Sequence, residues 1–132
     1  MFLTEMRNLE IKKDMAIIVK KFGGTSIGNI DLIRIIAHKL ACEYHKGDAL
    51  VLVVSAMAKT TDYLFNLAYG ISQHPSRREL DMLLTAGERI SMSLLSLALM
   101  EEGIPSISFT KLSKSLLICF SVPGLMAFSI SS

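Results

Sequence analysis

An apolar, β-branched run from Ala16 to Phe22 (AIIVKKF) delivers two lysines, Lys20 and Lys21, directly into Gly23-Gly24-Thr25-Ser26-Ile27-Gly28. Glycines without a Cβ let backbone N–H groups approach phosphate oxygens, a following helix start adds a favourable dipole, and a lysine neutralises charge on a transferring phosphoryl group. The spacing is neither GxGxxG nor a P-loop. Glycine is also the default residue of a plain tight turn, and the plain reading of the lysines is a solvated strand end. A second chemical candidate is Glu88, which follows Gly87 in a largely apolar helical stretch. A carboxylate there is costly unless paired, and an ion pair with Arg89 or a neighbour on the helix surface is the alternative.

The elements that must position these groups read clearly in outline. Ala16 to Phe22, apolar before a glycine pair, has the pattern of a buried strand in a parallel sheet. Asn29 or Asp31 can start a helix in which Ile30, Ile33, Ala37, Leu40, Ala41 and Tyr44 recur at helical spacing, with Gly47 as a left-handed stop. Ala49 to Ser55 (ALVLVVS) is too short for a typical helix and reads as a second strand covered on both faces. Thr60 or Thr61 can cap a helix running through Ile71, followed by a turn at Gln73-His74-Pro75. Ser76 and Glu79 have capping-box spacing and open a longer helix that reaches Glu102 before Gly103. Its expected apolar stripe is Leu80, Leu83, Leu84, Ile90, Leu94, Leu95 and Ala98. Pro105 to Phe109 is a third strand, and the β-α-β-α-α-β order predicts an α/β fold with a mostly parallel sheet. The lysines and glycines then fall at the C-terminal edge of the first strand, where open α/β sheets bind ligands.

Composition narrows the choice of partners. Fourteen basic and twelve acidic residues leave a formal charge of +2 over 132 residues. No Lys/Arg run exceeds two residues, so no nucleic-acid partner is expected. Cys42 and Cys119 stand far apart, with neither a CxxC nor a Cys/His cluster, which points away from a disulfide framework or zinc and toward a reducing, cytoplasmic setting. His38 and His45 read as solvated helix histidines, and His74 falls in a turn. Met1 to Asp14 is interrupted by Glu5, Arg7, Glu10, Lys12 and Lys13, so it reads as a leader rather than a secretory signal. Leu116 to Ile130 is uncharged, but it is shorter than the roughly 20 residues that span a bilayer and is broken by Pro123-Gly124. No membrane partner is expected.

Three collinear segments carry a resemblance: KKFGGTS at Lys20 to Ser26, VVSAMAKTTDYL at Val53 to Leu64, and LLTAGERIS at Leu83 to Ser91. In this order they resemble the amino-terminal part of the aspartate kinase catalytic domain, of the amino-acid kinase superfamily. The resemblance implies a three-layer αβα fold, incomplete in this chain. It also implies transfer of the ATP γ-phosphoryl group to the β-carboxylate of L-aspartate, the entry to lysine, threonine and methionine biosynthesis. Lys21 is then the catalytic lysine on the phosphates, Gly23 and Gly24 give backbone contacts to phosphate, and Ser26 is their neighbour, with helix capping as its alternative role. Ser55 and Thr61 match the positions that hold aspartate, for which hydroxyls suit a carboxylate because they add no repulsive charge; capping is again the alternative for both. Glu88 matches the residue that engages the substrate's α-ammonium group. ATP is implied as co-substrate, with Mg2+ whose ligands are not present in this chain, and the full-length enzyme is implied to be a homo-oligomer.

The resemblance covers residues 16 to 110. The family continues after Ser108-Phe109-Thr110 with a glycine-containing loop, whereas this chain continues Lys111-Leu112-Ser113-Lys114 and carries no acidic residue beyond. The expectation is therefore a leader at 1–15, the first part of a kinase domain at 16–110, and an out-of-family, serine-rich apolar tail at 111–132. Such a chain, a truncated or frame-shifted product, is expected to show little turnover, because half a site positions half the reactants. The competing expectation is a non-catalytic α/β fragment that associates with itself or with a full-length kinase.

Overall fold

The first two apolar runs pair as parallel strands, β1 (Ile17–Phe22) and β2 (Ala49–Val54), with Ile17 opposite Ala49 and Phe22 opposite Val54. They belong to a computed structural model that describes residues 16–44, 49–110 and 117–121. Between them lies α1 (Ile30–Tyr44), and after them come α2 (Ala58–Ile71), α3 (Arg77–Glu101), β3 (Ile107–Thr110) and β4 (Leu117–Ser121). The leader, Gly47, His45, Lys111 to Lys114 and Pro123-Gly124 lie outside the described residues.

The sheet order is β1-β2-β4-β3. Because β4 is antiparallel to both β2 and β3, strands β1, β2 and β3 all run the same way. The expected α/β fold is present, with β1 and β2 paired in parallel as the mostly parallel sheet predicts and β4 pairing antiparallel with both its neighbours. The insertion of β4 between β2 and β3 was not legible, since Leu117–Ser121 belongs to a stretch without visible amphipathic order.

One face of the sheet is covered by helices. Leu50, Leu52 and Val54 point to a core shared with Ile33, Ala37, Leu40 and Ala41 of α1 and with Met92, Leu95 and Leu99 of α3. Leu50, Leu52, Leu95 and Leu99 have no exposed surface, and each such side chain contributes about 1.5–3 kcal/mol relative to an exposed one. On the opposite face the register aligns Val19 with Val51 and Ile107, and Lys21 with Val53 and Phe109. On that face the edge strands are exposed, Ile17 at 69% and Val19 at 65% with Ile107 and Phe109 also exposed, whereas Val51 and Val53 of β2 between them are buried. β1 is therefore an edge strand buried on one side only, not the fully buried strand that its apolar run predicts. Of the three layers implied, the described residues supply the sheet and one helical layer.

Local signals explain most element ends. The Asn29 side-chain oxygen accepts the Leu32 N–H at 2.9 Å and caps α1. Gly103 adopts φ 80°, and the Gly103 and Ile104 N–H groups donate to the Met100 and Leu99 carbonyls. This is a Schellman stop, and Ile104 packs in the same core as Leu99. Two expected caps do not form. α2 starts at Ala58 with Met57 as N-cap, so Thr60 and Thr61 lie inside its first turn. Ser76 stands at the N-cap of α3 without a side-chain cap bond, and Glu79 pairs with Arg78 instead of closing a capping box.

Candidate functional site

The connector Ser55–Met57, between β2 and α2, is where the candidate residues meet. Its Ser55 N–H donates to the Phe22 carbonyl at 3.2 Å, which ties it to the end of β1. Its far side meets the glycine turn: the Ala58 N–H donates to the Gly24 carbonyl at 3.4 Å, and a Cβ on Gly24 would stand 2.5 Å from the Ala56 carbonyl oxygen. Only a residue without a side chain lets these loops approach so closely. Gly23 differs, since a Cβ there would meet nothing within 4 Å.

α3 closes the third side. A Cβ on Gly87 would come within 3.1–3.3 Å of Leu64 Cδ1, Ala56 Cβ and Thr60 Cγ2, so the bare helix surface at Gly87 seats both the connector and the first turn of α2. One turn further on, Ser91 has no exposed surface. Its Oγ accepts the Met57 N–H at 3.1 Å and donates to the Gly87 carbonyl at 3.2 Å. Sequence reasoning gave Ser91 no role. The available signal was the i, i+4 pair of small residues, Gly87 and Ser91, which marks a helix face under close approach.

The candidate residues take the following places. Ser55 and Thr61 are half-buried at the two ends of the connector region. Ser26 is exposed, and its N–H donates to the Gly23 carbonyl at 3.1 Å. Neither Ser26 nor Thr61 is a helix cap, because Asn29 and Met57 hold those positions. Glu88 is half-buried beside Gly87, and burial raises its carboxyl pKa above the ordinary value. Among the described residues it has no salt bridge and no hydrogen bond, so the Arg89 pairing does not form.

The two lysines part company. Lys20 lies on the helix-covered face, where its ammonium pairs with Glu43 of α1 at 2.5 Å. Lys21 points to the open face, exposed. The structure thus gathers Gly24, Ser55, Thr61 and Glu88 around one corner at the C-terminal edge of β1 and β2, with Gly23 and Lys21 at the same edge. The Lys21 side chain stands on the exposed face of β1, and Glu88 is carried by α3.

Two surface clefts lie elsewhere, one of about 360 Å³ between α1 and α3 and one of about 370 Å³ between α2 and α3; neither is lined by a candidate residue. No group of three or more His, Cys, Asp or Glu that could hold a metal ion gathers among the described residues. α3 is long and apolar enough to cross a membrane by length and composition, and its buried line packs against the sheet, α1 and α2.

A parallel β-α-β unit with a glycine turn at the strand ends is the architecture of an α/β domain whose ligand edge lies at the C-terminal ends of its strands. The chain belongs to the amino acid kinase family, which it matches over residues 16–125. That match runs past Thr110 and takes in β4. Within the family its relatives are aspartokinases. That of Geobacillus stearothermophilus is 54% identical and aspartokinase 2 of Bacillus subtilis 51% identical, each over 96 residues that cover 73% of this chain and 24% of the relative. The crystal structure of aspartate kinase from Synechocystis aligns with a TM-score of 0.68 at 52% identity, over 71% of this chain and 16% of that one. The chain thus spans about a quarter of the length of the curated relatives it matches.

Proposed function

We propose that the chain is the amino-terminal part of an aspartokinase catalytic domain and that its corner holds L-aspartate next to the phosphates of ATP. The Lys21 ammonium and the backbone N–H groups of the turn at Gly23 and Gly24, with Ser26 beside them, bind the phosphates. A loose phosphoryl-transfer transition state spreads charge over its equatorial oxygens, and fixed positive donors stabilise that charge. The Ser55 and Thr61 hydroxyls donate to a carboxylate of aspartate, and Glu88 accepts from the α-ammonium group. A β-carboxylate oxygen then bonds to the γ-phosphorus as the bond to the β,γ-bridging oxygen breaks, giving 4-phospho-L-aspartate and ADP. The described residues supply no ligand set for Mg2+, so no step is assigned to it.

The observation that carries this reading is Glu88: a desolvated carboxylate without a partner among the described residues, one residue from the glycine that seats the substrate connector. An incoming ammonium ion provides the missing partner. Titrating the chain with L-aspartate while following backbone amide shifts tests it. Shifts at Ser55, Thr61 and Glu88 that vanish in Glu88→Gln are expected, and no shifts in the wild-type chain would overturn the reading. Hydroxylamine trapping of acyl phosphate measures turnover, expected to be slight because the chain matches only a quarter of its relatives.

The open sheet face favours a second reading, a fragment that associates with itself or with a full-length aspartokinase. Ile17 and Val19 on β1 and Ile107 and Phe109 on β3 leave exposed apolar surface at the two edges of the sheet, with Val51 and Val53 between them buried. Size-exclusion chromatography, alone and with a full-length enzyme, distinguishes the readings: a chain that stays monomeric and unretained removes this one.

A further inference from the structure

We infer that Ser91 is a positioning residue that sets the distance between the two halves of the aspartate site, an inference that rests on the reading just given. The proposed ammonium partner, Glu88, sits on α3, whereas Ser55 and Thr61 sit on the connector and on α2. The short side chain of aspartate limits the span between its ammonium group and its β-carboxylate, so the two elements must be held in register.

The direct polar link between them is Ser91. Its Oγ takes the Met57 N–H and gives its own proton to the Gly87 carbonyl, so one hydroxyl ties the connector to the helix turn that carries Glu88. Among the described residues it is the side chain that hydrogen-bonds the connector's backbone. Ser91 is fully buried and Met57 half-buried, so water replaces the lost bond poorly. Gly87 supplies the other half of the device, because its missing Cβ brings Ala56 and Thr60 against α3. Contact at Gly87 fixes how close the connector comes, and the hydroxyl of Ser91 fixes where it stops.

The test compares Ser91→Ala, Ser91→Cys and Ser91→Thr in the full 132-residue chain. Two quantities are read: hydrogen exchange at the Met57 amide, and the affinity for L-aspartate relative to succinate, which has both carboxylates and no ammonium group. Alanine and cysteine are expected to speed Met57 exchange and weaken aspartate binding roughly tenfold, the scale of one buried N–H left unpaired. They should also shrink the preference for aspartate over succinate. Threonine keeps the hydroxyl, whose Oγ can still reach the carbonyl four residues back, and should restore both readouts. Cysteine leaves no cavity and its sulfur is a weak acceptor, so it keeps the comparison open if alanine impairs folding. Unchanged Met57 exchange in both the alanine and cysteine variants, or an unchanged aspartate preference with faster exchange, would overturn the inference. If the wild-type chain binds no aspartate, the aspartate reading falls, and the Met57 amide alone decides whether Ser91 anchors the connector.

Discussion

Adding one methyl group at Gly23 and at Gly24 in turn should separate what the glycine turn does for folding from what it does for phosphate. At Gly24 the new Cβ would sit 2.5 Å from the Ala56 carbonyl oxygen and 3.1 Å from the Ala58 nitrogen, both backbone atoms. Neither can swing aside as the end of a flexible side chain could. The connector must move away from the turn, straining the Ala58 to Gly24 hydrogen bond. Overpacking of this kind costs about 1–3 kcal/mol. For a chain of this size each kcal/mol lowers Tm by roughly 4 °C, so Gly24→Ala should lose roughly 4 to 12 °C. At Gly23 a Cβ meets nothing within 4 Å, and the backbone does not occupy the left-handed region. Gly23→Ala should therefore stay within about 0.5 kcal/mol of wild type, a Tm change of no more than about 2 °C. Under the proposed function its methyl group stands where phosphate oxygens approach, so ATP affinity should fall while Tm does not. Circular-dichroism melts with an ATP titration of each variant decide the matter. Equal melting losses in both variants, or a Gly24→Ala chain as stable as wild type, would refute the loop-packing argument.

Three further outcomes follow from the same geometry. Burial holds the Glu88 carboxyl pKa above its ordinary value, so the folded chain favours its protonated form. That contribution is full below the ordinary carboxylate pKa and is lost as pH rises through the folded one. Glu88→Gln should therefore stabilise the chain at neutral pH, with the gain fading in urea melts as pH falls below about 4, while aspartate binding is lost at every pH. Lys20→Ala removes a half-exposed pair with Glu43 and should cost about 0–1 kcal/mol without affecting ATP, whereas Lys21→Ala should keep its Tm and lose ATP binding; the reverse assignment would show that the lysines were misplaced. Replacing Val19 and Phe109 together by glutamate should abolish any concentration-dependent association seen by sedimentation, because both lie on the open sheet face.

The sequence made legible what depends on apolar period and on residues with a single conformational use. β2 is buried at all six positions, as its uninterrupted apolar run implied, and Gly103 ends α3 with the positive φ that glycine tolerates. Asn29 was one of two candidate caps for α1, and its short side-chain oxygen reaches the Leu32 N–H. Legibility failed where a small residue does the work of a large one. The apolar pattern set Ile90 in the buried stripe of α3, yet Ile90 is 48% exposed, and the buried line runs through Gly87, Ser91, Met92, Leu95, Ser96 and Leu99. A pattern weighted by hydrophobicity cannot favour glycine and serine, because their value is the space they leave and the bonds they make. Gly87 admits the connector, Ser91 ties it, and Ser96 pairs with Ser106 at 2.7 Å where the chain turns toward β3.

The same limit explains the candidate site. Glu88 stood out because a carboxylate in an apolar helix is conspicuous, whereas the hydroxyl three residues later looked like filler. Thr60 and Thr61 looked like caps because threonine often is one. Gly24 holds the backbone at the start of α2, so the helix begins three residues before Thr61 and leaves that hydroxyl clear of capping. A side chain freed from structural duty at a strand's C-terminal edge is what a substrate site requires. Here the freedom of Thr61 follows from contacts that only glycine at position 24 permits.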